Sequence, residues 1–408
     1  MYIDDTADEC SRMDMSSDDD DDFHYGYHHH AHPVASMKGK EFDDGRFVVN
    51  HIIGEGAFGV VYSAKDIGKR PHTRLREKSA TEVAVKKFKK SKYQGSYTRA
   101  DVDVATRREI DILKELSPHD NIIKYVHDFM QRNKMYLVME SMTCDLVSLI
   151  DDFWEDSKAP MPKHVAKHIT YQCCSALVYI HSRDFVYRDL KPANVLIKFE
   201  NASDNQAYAR LNKRALLDRG TTVVVAKVCD FGCARKLGPN TSKDDPSPSW
   251  PHPADVMTAR IGTQWYVPPE CLIGTPYPDP SHPGKLVYSP YGVGIDMWGL
   301  GCLMAECLSG EILFEAYSEH DQLRKIQDLL GCLTVKQRDM YTRSPYTYQN
   351  LPAPSHRPTG VRGLFGYCLN TVEVSFLKSL LSIDPSHRPN AATALGDDVW
   401  ADLFDDET

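Results

Sequence analysis

Three polar side chains near the middle of the chain have types that could act on a phosphate group. Asp189 and Asn194 lie in one short stretch, 187–194, and Asp230 begins an Asp-Phe-Gly tripeptide further along. The Asp230 carboxylate and the Asn194 carbonyl are hard oxygen ligands, which suit Mg2+, a cation that accepts few protein ligands beside phosphate oxygens. Asp189 is a carboxylate placed to accept a hydroxyl proton. Because the stretch is short, one loop can hold both the attacking hydroxyl and the metal.

The glycines that precede these residues follow the spacing of a phosphate-binding loop. Gly54, Gly56 and Gly59 form a Gly-x-Gly-x-x-Gly segment, and the strand-like residues 60–62 follow it. In a dinucleotide-binding fold such glycines open a helix. Because the residues that follow Gly59 are strand-like instead, this loop is predicted to lie within a hairpin. Glycines let a loop approach phosphates closely and offer backbone N–H groups. On this motif alone, a nucleotide cover and an ordinary hairpin turn remain equal alternatives.

Two charged residues interrupt apolar patterns. Lys86 lies in the apolar strand-like run 83–86, and Glu109 lies on the apolar face of a predicted helix with Ile112 and Leu116. Charged side chains are rarely buried without a partner. Two misplaced charges of opposite sign therefore predict one ion pair, with Lys86 held where it can touch a nucleotide phosphate. The alternative, which either charge alone would favour, is two separate solvated or snorkelling side chains.

The composition excludes several protein classes. The 408 residues are 42% hydrophobic and 26% charged, which is ordinary for a globular protein of two or three lobes and unlike a disordered or collagen-like chain. No apolar run is long enough to predict a membrane-spanning helix, and the acidic N-terminus is unlike a secretory signal. Eleven cysteines without a Cys-x-x-Cys pair favour reduced thiols, and hence a cytoplasmic or nuclear location.

The acidic residues are concentrated at the two ends of the chain. Residues 1–45 contain consecutive aspartates at 18–22 and histidines at 28–30, and they show no apolar periodicity. This segment is therefore predicted to be a disordered acidic and His-rich tail. A metal-binding role for the histidines is the alternative to a solvated tail. The net charge of −9 thus hides a mildly basic body.

The rest of the chain changes from strand-like to helical patterns. Short strand-like runs and one helical segment, about 101–116, occupy residues 46–140, and apolar helices recur within residues 145–404. The fold class is therefore predicted to be α+β, with a small β-rich N-lobe that has one main helix and a larger α-rich C-lobe. Helices of the C-lobe are predicted at about 163–182, 293–309, 319–331 and 371–382.

The motifs, taken in this order, resemble those of the eukaryotic protein kinases. The resemblance covers about residues 45–402 and extends to the segment Pro268–Glu270, to Asp296 and to Arg388. It implies a bilobal protein kinase fold. In the family pattern Glu270 and Arg388 pair to anchor the activation segment, and Asp296 braces the catalytic loop.

The resemblance implies transfer of the γ-phosphoryl group of ATP to a protein hydroxyl, with Mg2+ as cofactor. It implies a kinase domain at 46–404 (N-lobe 46–140, C-lobe 145–404) with an activation segment at 230–270. Lys191 is similar to the Ser/Thr-type signature and implies serine and threonine as acceptors. The metal ligands implied are Asn194 and Asp230. The catalytic residues implied are Asp189, Lys191, Lys86, Glu109 and Thr263.

Within the kinases, three stretches are similar to the CMGC group, and most similar to cyclin-dependent kinases. They are 108–116 in the main helix, 136–146 at the hinge between the lobes, and 318–331 in a later helix. By this match Met139 is the gatekeeper of the adenine pocket. The nucleotide-binding residues implied by the resemblance are Ile53, Gly54, Gly56, Gly59, Val61, Ala84, Lys86, Met139, Glu140, Met142, Asp145, Leu196 and Asp230.

The resemblance also implies regulation by phosphorylation. Thr258 lies where cyclin-dependent kinases carry an activating phosphothreonine, and Arg108, Arg188 and Arg235 match the phosphate pocket of that family. A phosphate adds roughly −1.5 to −2 charge and could gather the three arginines and order the loop. The alternative is a solvated threonine in a flexible loop.

Several alternatives remain open at the level of function. A catalytically inactive scaffold on the same fold is the main one, although such proteins usually lose the lysine or one of the two aspartates retained here. A kinase of small molecules is the second. The partners implied are a protein substrate with Ser or Thr, an upstream activating kinase and a cyclin-like activator, whereas neither nucleic acid nor a membrane is expected.

Four positions depart from the family pattern. Tyr187 replaces the usual histidine of the catalytic loop, where apolar packing is required. Ala57 and Phe58 replace a Thr-Tyr pair that inhibitory kinases modify. Val267 replaces an arginine that holds the substrate loop, next to Gly262, so a preference for proline after the target residue is an open question.

Overall fold

The start of the first sheet lies earlier than the predicted boundary of the tail. Residues 38–45 fall in the predicted tail, but strand β1 (Glu41–Phe42) pairs with the start of strand β2 (Phe47–Glu55). Phe42 is buried, and its ring lies 4.9 Å from that of Tyr136. The computed structural model describes residues 38–56, 59–68, 80–89, 99–200, 223–237, 263–273, 277–278, 286–287, 292–335, 337–338 and 352–404, all within the unit 37–408.

The N-lobe contains one antiparallel sheet of six strands in the order β1-β2-β3-β4-β6-β5. Its further strands are β3 (Gly59–Asp66), β4 (Thr81–Phe88), β5 (Tyr125–Gln131) and β6 (Lys134–Glu140). Successive side chains of a strand point to opposite faces. On β4 this separates Val83 and Val85, which are buried with the aromatic residues Phe47 and Phe129, from Ala84 and Lys86 on the other face.

The predicted main helix is confirmed as α1 (Arg99–Leu116). Its residues Ile110, Leu113 and Leu116 are buried in the larger core of the molecule, together with Phe88 and Leu137 of the sheet. The helix therefore covers the face of the sheet that carries Lys86.

The C-lobe is helical, as predicted. Its central helix α5 is buried along nearly its whole length, which is typical of a helix that is apolar all round. None of the helices among the described residues has an apolar stretch that could cross a bilayer. The helices are α2 (Leu146–Ser157), α3 (Lys163–Ser182), α4 (Pro269–Ile273), α5 (Gly294–Ser309), α6 (Glu319–Leu330), α7 (Gly360–Phe365), α8 (Thr371–Leu380) and α9 (Ala391–Leu395).

Short strands below the N-lobe position the two loops that carry the polar motifs. Seven short strands, whose ranges are given at the end of this paragraph, form one three-stranded sheet, β10-β9-β7, and two two-stranded sheets, β11-β8 and β12-β13. The stretch 187–194 connects β8 to β9, and the Asp-Phe-Gly tripeptide connects β10 to β11. The strands are β7 (Cys144–Asp145), β8 (Phe185–Val186), β9 (Val195–Glu200), β10 (Val223–Val228), β11 (Arg235–Lys236), β12 (Tyr277–Pro278) and β13 (Leu286–Val287). The sheet of the N-lobe and the helices of the C-lobe confirm the predicted α+β, two-lobed architecture.

Candidate active site

Lys86 and Glu109 are in contact between β4 and α1. The Nζ atom of Lys86 donates to Oε1 of Glu109 at 2.6 Å and lies 3.4 Å from Oδ1 of Asp230. Lys86 and Glu109 are both buried. A β-carbon on Gly232 would lie 3.2 Å from Oε2 of Glu109, so a larger residue after the Asp-Phe pair would press on the Glu109 carboxylate. One cation and two carboxylates therefore form a single cluster between the lobes.

Burial and neighbouring charges have opposite effects on this cluster. Burial alone would lower the pKa of Lys86, but the carboxylates of Asp230 and Glu109 outweigh it and raise that pKa above its ordinary value. Burial raises the pKa of Glu109 despite the opposing charge of Lys86. Lys86 consequently remains a cation near neutral pH, which is the state needed to contact an anion.

Asp189 is held by hydrogen bonds from its own loop and from Thr263. Lys191 Nζ donates to Oδ2 of Asp189 at 2.9 Å and also donates to the hydroxyl of Thr263. The backbone N–H of Thr263 donates to Oδ1 of Asp189 at 3.0 Å. Asn194 Nδ2 donates to the carbonyl oxygen and to Oδ2 of Asp189, each at 2.8 Å. Both carboxylate oxygens therefore have a fixed direction.

Burial raises the pKa of Asp189, while Lys191, Asn194 and the Thr263 N–H favour the charged form. A carboxylate whose pKa is raised accepts a proton more readily, provided that it stays ionised at the working pH. The cation and the two N–H donors serve that second condition. The local environment thus suits a general base.

Asp296, at the start of α5, supports the catalytic loop from below. Its Oδ2 atom lies 2.8 Å from Nε2 of His181 and accepts from the Tyr187 N–H at 2.9 Å. Its Oδ1 atom accepts from the Arg188 N–H at 2.7 Å. A β-carbon on Gly299 would lie 3.1 Å from the carbonyl oxygen of Leu190, so α5 packs directly against the loop.

Tyr187 occupies the position where the family has histidine. Its ring makes a T-shaped contact with Phe231 at 5.4 Å between centroids. Its hydroxyl donates to the carbonyl oxygen of Cys229, directly before Asp230. Because burial raises the pKa of Tyr187 well above its ordinary value, the hydroxyl keeps the proton that it donates. The residue therefore packs as predicted and also ties the catalytic loop to Asp230.

Two residues of these loops adopt the left-handed backbone conformation without being glycine. Arg188 has φ 73° and Asp230 has φ 57°. For residues with a β-carbon this region costs roughly 1–2 kcal/mol each. The hydrogen bonds of Asp296 and Tyr187 on either side hold the loops in this form.

Asn194 and Asp230 have the chemistry expected of a Mg2+ site. Both hydrogen-bond donors of the Asn194 amide are directed at Asp189, so its carbonyl oxygen points elsewhere. The Cys229 N–H donates to the backbone oxygen of Asn194 at 2.9 Å and holds the two loops together. Within the described residues, no three His, Cys, Asp or Glu side chains are grouped to hold a metal. Two hard oxygen donors fit Mg2+, which takes most of its ligands from water and phosphate.

Four of the predicted nucleotide-binding side chains, those of Val61, Ala84, Lys86 and Met139, share one face of the N-lobe sheet. Val61 is paired with Gly54 on one side and with Lys86 on the other. Ala84 is paired with Met139. From the C-lobe, Leu196 of β9 is paired with Asp145 of β7. Apolar surfaces for a planar base are thus available on both lobes.

The three glycines have different surroundings. A β-carbon on Gly59 would lie 2.5 Å from the carbonyl oxygen of Lys87, so this position requires glycine. A β-carbon on Gly54 or Gly56 would meet nothing within 4 Å, and Ile53 is 51% exposed. The first two glycines therefore border open space. Ala57 and Phe58, between Gly56 and Gly59, lie outside the described residues.

The hinge between the lobes contains an ion pair that the sequence did not reveal. Oε1 of Glu140 accepts from Lys227 Nζ at 2.7 Å and from the Lys124 N–H at 2.8 Å. Met142 packs against the main core. Asp145 begins α2, and its Oδ1 atom accepts from the Ser148 N–H at 2.7 Å. The side chains of this segment thus hold the hinge in place.

The end of the predicted activation segment is anchored by a buried ion pair. The two guanidinium nitrogens of Arg388 donate to the two oxygens of Glu270 at 2.7 and 2.8 Å. Arg388 also donates to the carbonyl oxygens of Gly294 and Ser382. This arrangement joins α4 to the start of α5.

The structure brings together only part of the predicted regulatory pocket. Arg188 Nε donates to the carbonyl oxygen of Cys233 at 2.6 Å, and Arg235 donates to that of Ala234 at 2.7 Å. Arg108 is exposed on α1, next to the buried Glu109 in the chain. Thr258 and Gly262 lie outside the described residues. Two of the three arginines, which come from different loops, thus donate to neighbouring carbonyl oxygens at residues 233 and 234.

Glu306 is a further buried carboxyl group near the site, and the sequence contained a signal for it. It lies in the otherwise apolar α5, and its Oε2 atom accepts from the Tyr266 hydroxyl at 2.7 Å. Burial raises the pKa of Glu306 to about 7, partly opposed by the tyrosine. A charged residue within an apolar helix is the same signal that identified Glu109. The partner, Tyr266, follows Thr263 closely in the chain.

A model of the protein kinase domain matches residues 47–400. The chain is 30% identical over 345 residues to cyclin-dependent kinase-like 5 of Mus musculus, an alignment that covers 84% of this chain and 29% of that protein. It is 28% identical to cyclin-dependent kinase-like 4 of Mus musculus, with 87% of this chain and 83% of that protein covered. It is also 28% identical to extracellular signal-regulated kinase 2 of Dictyostelium discoideum, an alignment that covers 86% of this chain and 78% of that protein.

The chain belongs to the protein kinase family. Within that family it is a CMGC-type kinase, similar to cyclin-dependent kinases. It spans less than a third of the length of the cyclin-dependent kinase-like 5 relatives and most of the length of the shorter ones.

Proposed function

We propose that this chain is an ATP-dependent protein serine/threonine kinase. The observation that carries the proposal is the contact of Lys191 with both Asp189 and Thr263, because it joins a proton acceptor, a cation and the activation segment at one point. In this role Asp189 orients the substrate hydroxyl and accepts its proton. Lys191 neutralises the charge of the transferred phosphoryl group.

The remaining residues bind and orient the nucleotide. Lys86 holds the α- and β-phosphates, and Glu109 holds Lys86 in place. Asn194 and Asp230 would hold Mg2+, which neutralises phosphate charge when bound. The side chains of Val61, Ala84 and Leu196 pack on the adenine. The other nucleotide-binding residues proposed are Ile53, Gly54, Gly56, Gly59, Met139, Glu140, Met142 and Asp145.

The test is phosphotransfer from ATP with Mg2+ to a Ser/Thr peptide library. We expect Asp189→Asn and Lys86→Met to abolish phosphotransfer while the protein remains folded, as checked by a cooperative thermal unfolding transition. Matched controls are Lys87→Met, on the same strand, and Asp111→Asn, on the exposed side of α1. Full activity in either site variant would contradict the assignment. A wild type that binds nucleotide and transfers no phosphate would instead support the inactive-scaffold alternative.

We further propose that phosphorylation of Thr258 activates the chain. The support is the matched position and the contacts of two arginines with the loop 232–235: Arg188, of the stretch 187–194, donates to Cys233 and Arg235 donates to Ala234. A phosphate with three acceptor oxygens bound there would meet two guanidinium groups. Arg108 of α1 would be the third and would couple the phosphate to the helix that carries Glu109.

The experiment compares Thr258→Ala with wild type after mass spectrometry has confirmed phosphate on the wild-type residue. We expect at least a tenfold loss of kcat/KM in Thr258→Ala. Thr241→Ala, in the same segment, is the matched control and keeps its activity. Equal activity of Thr258→Ala and phosphorylated wild type would refute the hypothesis. Pull-down with the purified chain tests the proposed cyclin-like activator.

A further inference from the structure

One row of the N-lobe sheet carries two charged residues on the face that α1 covers. Asp128 of β5 is paired with Leu137 of β6, and Leu137 is paired with Lys86 of β4. Leu137 is buried in the same core as α1, whereas Phe129 and Tyr136 are buried on the opposite face. Since residues paired across neighbouring strands share a face, Asp128 lies on the α1 side together with Lys86.

Asp128 contacts two cations of α1. Its Oδ1 atom accepts from Lys114 Nζ, and its Oδ2 atom lies 3.5 Å from Nη1 of Arg107. The hydroxyl of Tyr125 donates to Oδ1 at 2.6 Å, and Lys114 Nζ lies 5.0 Å from the centroid of the Tyr125 ring. The Asp128 side chain is only 14% exposed, so its contact with Lys114 is better shielded from water than an ordinary surface ion pair. The longer contact with Arg107, whose side chain is half exposed, is the weaker one.

The Asp128 carboxylate is ionised near neutral pH. Burial alone would raise its pKa, but the hydrogen bonds from Lys114 and Tyr125 outweigh it and lower that pKa below its ordinary value. Tyr125 is also tied to the end of the helix, because its N–H donates to the hydroxyl oxygen of Ser117 at 2.7 Å. The last turns of α1 are therefore bound to β5 by two neighbouring contacts.

The two ionic attachments of α1 to the sheet have opposite polarity. Lys86 of the sheet binds Glu109 of the helix, whereas Asp128 of the sheet binds Lys114 of the helix. Neighbouring strands are about 4.8 Å apart, so the backbones of Lys86 and Asp128 are roughly 10 Å apart across the row. Glu109 and Lys114 lie about 140° apart around the helix axis. Two contacts on different sides of a helix fix its rotation, which a single contact leaves free.

The exposed side chains in the described part of α1 are all charged. The apolar side chains of residues 106–116 are buried in the larger core instead. Protein interfaces are depleted of charged residues at their centre. This part of the helix thus has no exposed apolar side chain by which an activator could pull α1 into place. The exposed residues are Arg107, Arg108, Asp111, Lys114 and Glu115.

We propose that Asp128 is a positioning residue that fixes the rotation of α1, so that Glu109 meets Lys86 in the isolated chain without a partner protein. A rotation that withdraws Glu109 from Lys86 would also separate Lys114 from Asp128 and leave a mostly buried carboxylate without its cation. That cost keeps the rotated state sparsely populated. The inference rests on the proposed kinase activity, because Lys86 acts there on the nucleotide phosphates.

The first test measures phosphotransfer by the purified chain alone at 10 °C. Asp128→Asn removes the charge and keeps the shape, and Lys114→Met removes the cation and keeps an apolar stem. We expect each variant to lower kcat roughly tenfold with the KM for the peptide unchanged, because the surroundings of Asp189 stay the same. Asp66→Asn is the matched control and keeps its kcat, since this carboxylate is similarly buried, at 16% exposed, and pairs with Arg46 away from α1.

A double-mutant cycle separates positioning from a general loss of stability. In the Glu109→Gln background the ion pair with Lys86 is already lost, so we expect Asp128→Asn to change kcat less than twofold further. An equal, roughly tenfold loss in both backgrounds would show that Asp128 does not act through Glu109, and it would overturn the inference.

Hydrogen–deuterium exchange of residues 106–116 measures the hold on α1 without any activity. We expect faster exchange in Asp128→Asn and Lys114→Met than in wild type and Asp66→Asn. An Asp128→Asn variant with the exchange or the kcat of wild type overturns the inference alone. If wild type transfers no phosphate but the exchange responds as expected, the proposed kinase activity fails, whereas the role of Asp128 in holding α1 stands.

Discussion

At the scale of single residues, Glu306 is a buried carboxyl group that contacts the turn 264–266, which follows Thr263. Its carboxyl group lies inside an apolar helix, and the Tyr266 hydroxyl is its hydrogen-bond donor. Burial raises its pKa from 4.5 to about 7. The ionised carboxylate is therefore less favourable in the folded state than in the unfolded state. The pKa shift corresponds to a decrease of roughly 3 kcal/mol in the free energy of unfolding when Glu306 is ionised.

The first prediction concerns Glu306→Gln, which removes the charge and keeps an acceptor for Tyr266. The stability associated with protonated Glu306 is complete below pH 4.5 and is lost as pH rises through 7. We therefore expect the variant to be more stable than wild type at pH 8, by roughly 2–3 kcal/mol, and equally stable at pH 4.5. Thermal unfolding midpoints from pH 4.5 to 8.5 measure this. Parallel midpoints over the range would contradict it.

The second prediction concerns the hydroxyl of Tyr187. Tyr187→Phe keeps the ring against Phe231 and leaves the buried carbonyl oxygen of Cys229 without its donor, so we expect a loss of roughly 1–2 kcal/mol in the free energy of unfolding. We also expect kcat to fall, because Asp230 follows Cys229 directly. Tyr317→Phe, which removes an exposed hydroxyl, is the matched control. Chemical denaturation and steady-state kinetics give the two readouts.

At the scale of elements, a buried glutamine joins α3 to the segment that follows α1. Gln172 accepts from Asn121 Nδ2 at 2.9 Å and from the Ala226 N–H at 2.8 Å, and it donates to the carbonyl oxygen of Val224 at 2.8 Å. The Val228 N–H donates to the backbone oxygen of Asn121 at 2.9 Å. The C-lobe thus fixes the connection that positions α1.

The third prediction follows from these three bonds. Gln172→Leu keeps the volume and removes every partner, so we expect the free energy of unfolding to fall by about 2–4 kcal/mol. The Lys86–Glu109 contact depends on the position of α1. We therefore expect kcat to fall even at low temperature, where the variant is still folded and unfolding cannot account for the loss. Denaturant unfolding and kinetics at 10 °C separate the two effects. A variant as stable as wild type would contradict the role given to Gln172.

Local patterns made the elements predictable and left long-range contacts hidden. Helix α1 and the helices of the C-lobe follow from apolar periodicity, which burial of one face imposes. The strand β1 was missed because two residues carry too little periodicity. Lys86 and Glu109 were identified because each charge interrupts an apolar pattern. Glu140 and Lys227 also interrupt apolar runs, but they lie 87 residues apart in the chain, and no local pattern shows that they meet at the hinge.

At the scale of the whole molecule, one arginine connects distant parts of the C-lobe. Arg388 lies after α8, pairs with Glu270 of α4, and stacks over Trp298 of α5 at 5.0 Å. It is almost completely buried. The planar guanidinium fork matches the carboxylate with two parallel hydrogen bonds, which an ammonium group cannot reproduce.

The fourth prediction is that Arg388→Lys destabilises the protein although the charge is kept. We expect the free energy of unfolding to fall by roughly 3–5 kcal/mol. An ammonium group cannot make both bonds to Glu270 together with those to the carbonyl oxygens of Gly294 and Ser382. Urea unfolding measures it. Arg362→Lys, in the surface helix α7, is the matched control and should change little. A midpoint equal to that of wild type would contradict this prediction.

Asp230 has a consequence for how the sequence can change over generations. Its left-handed backbone and its closeness to Glu109 are unfavourable, but its contact with the buried Lys86 is favourable, so replacement by glycine would relieve the backbone while removing a carboxylate beside Lys86 and the predicted metal ligand. A change to glycine at this position therefore has opposing effects on stability, whereas its effect on the predicted metal site is a plain loss of one oxygen ligand.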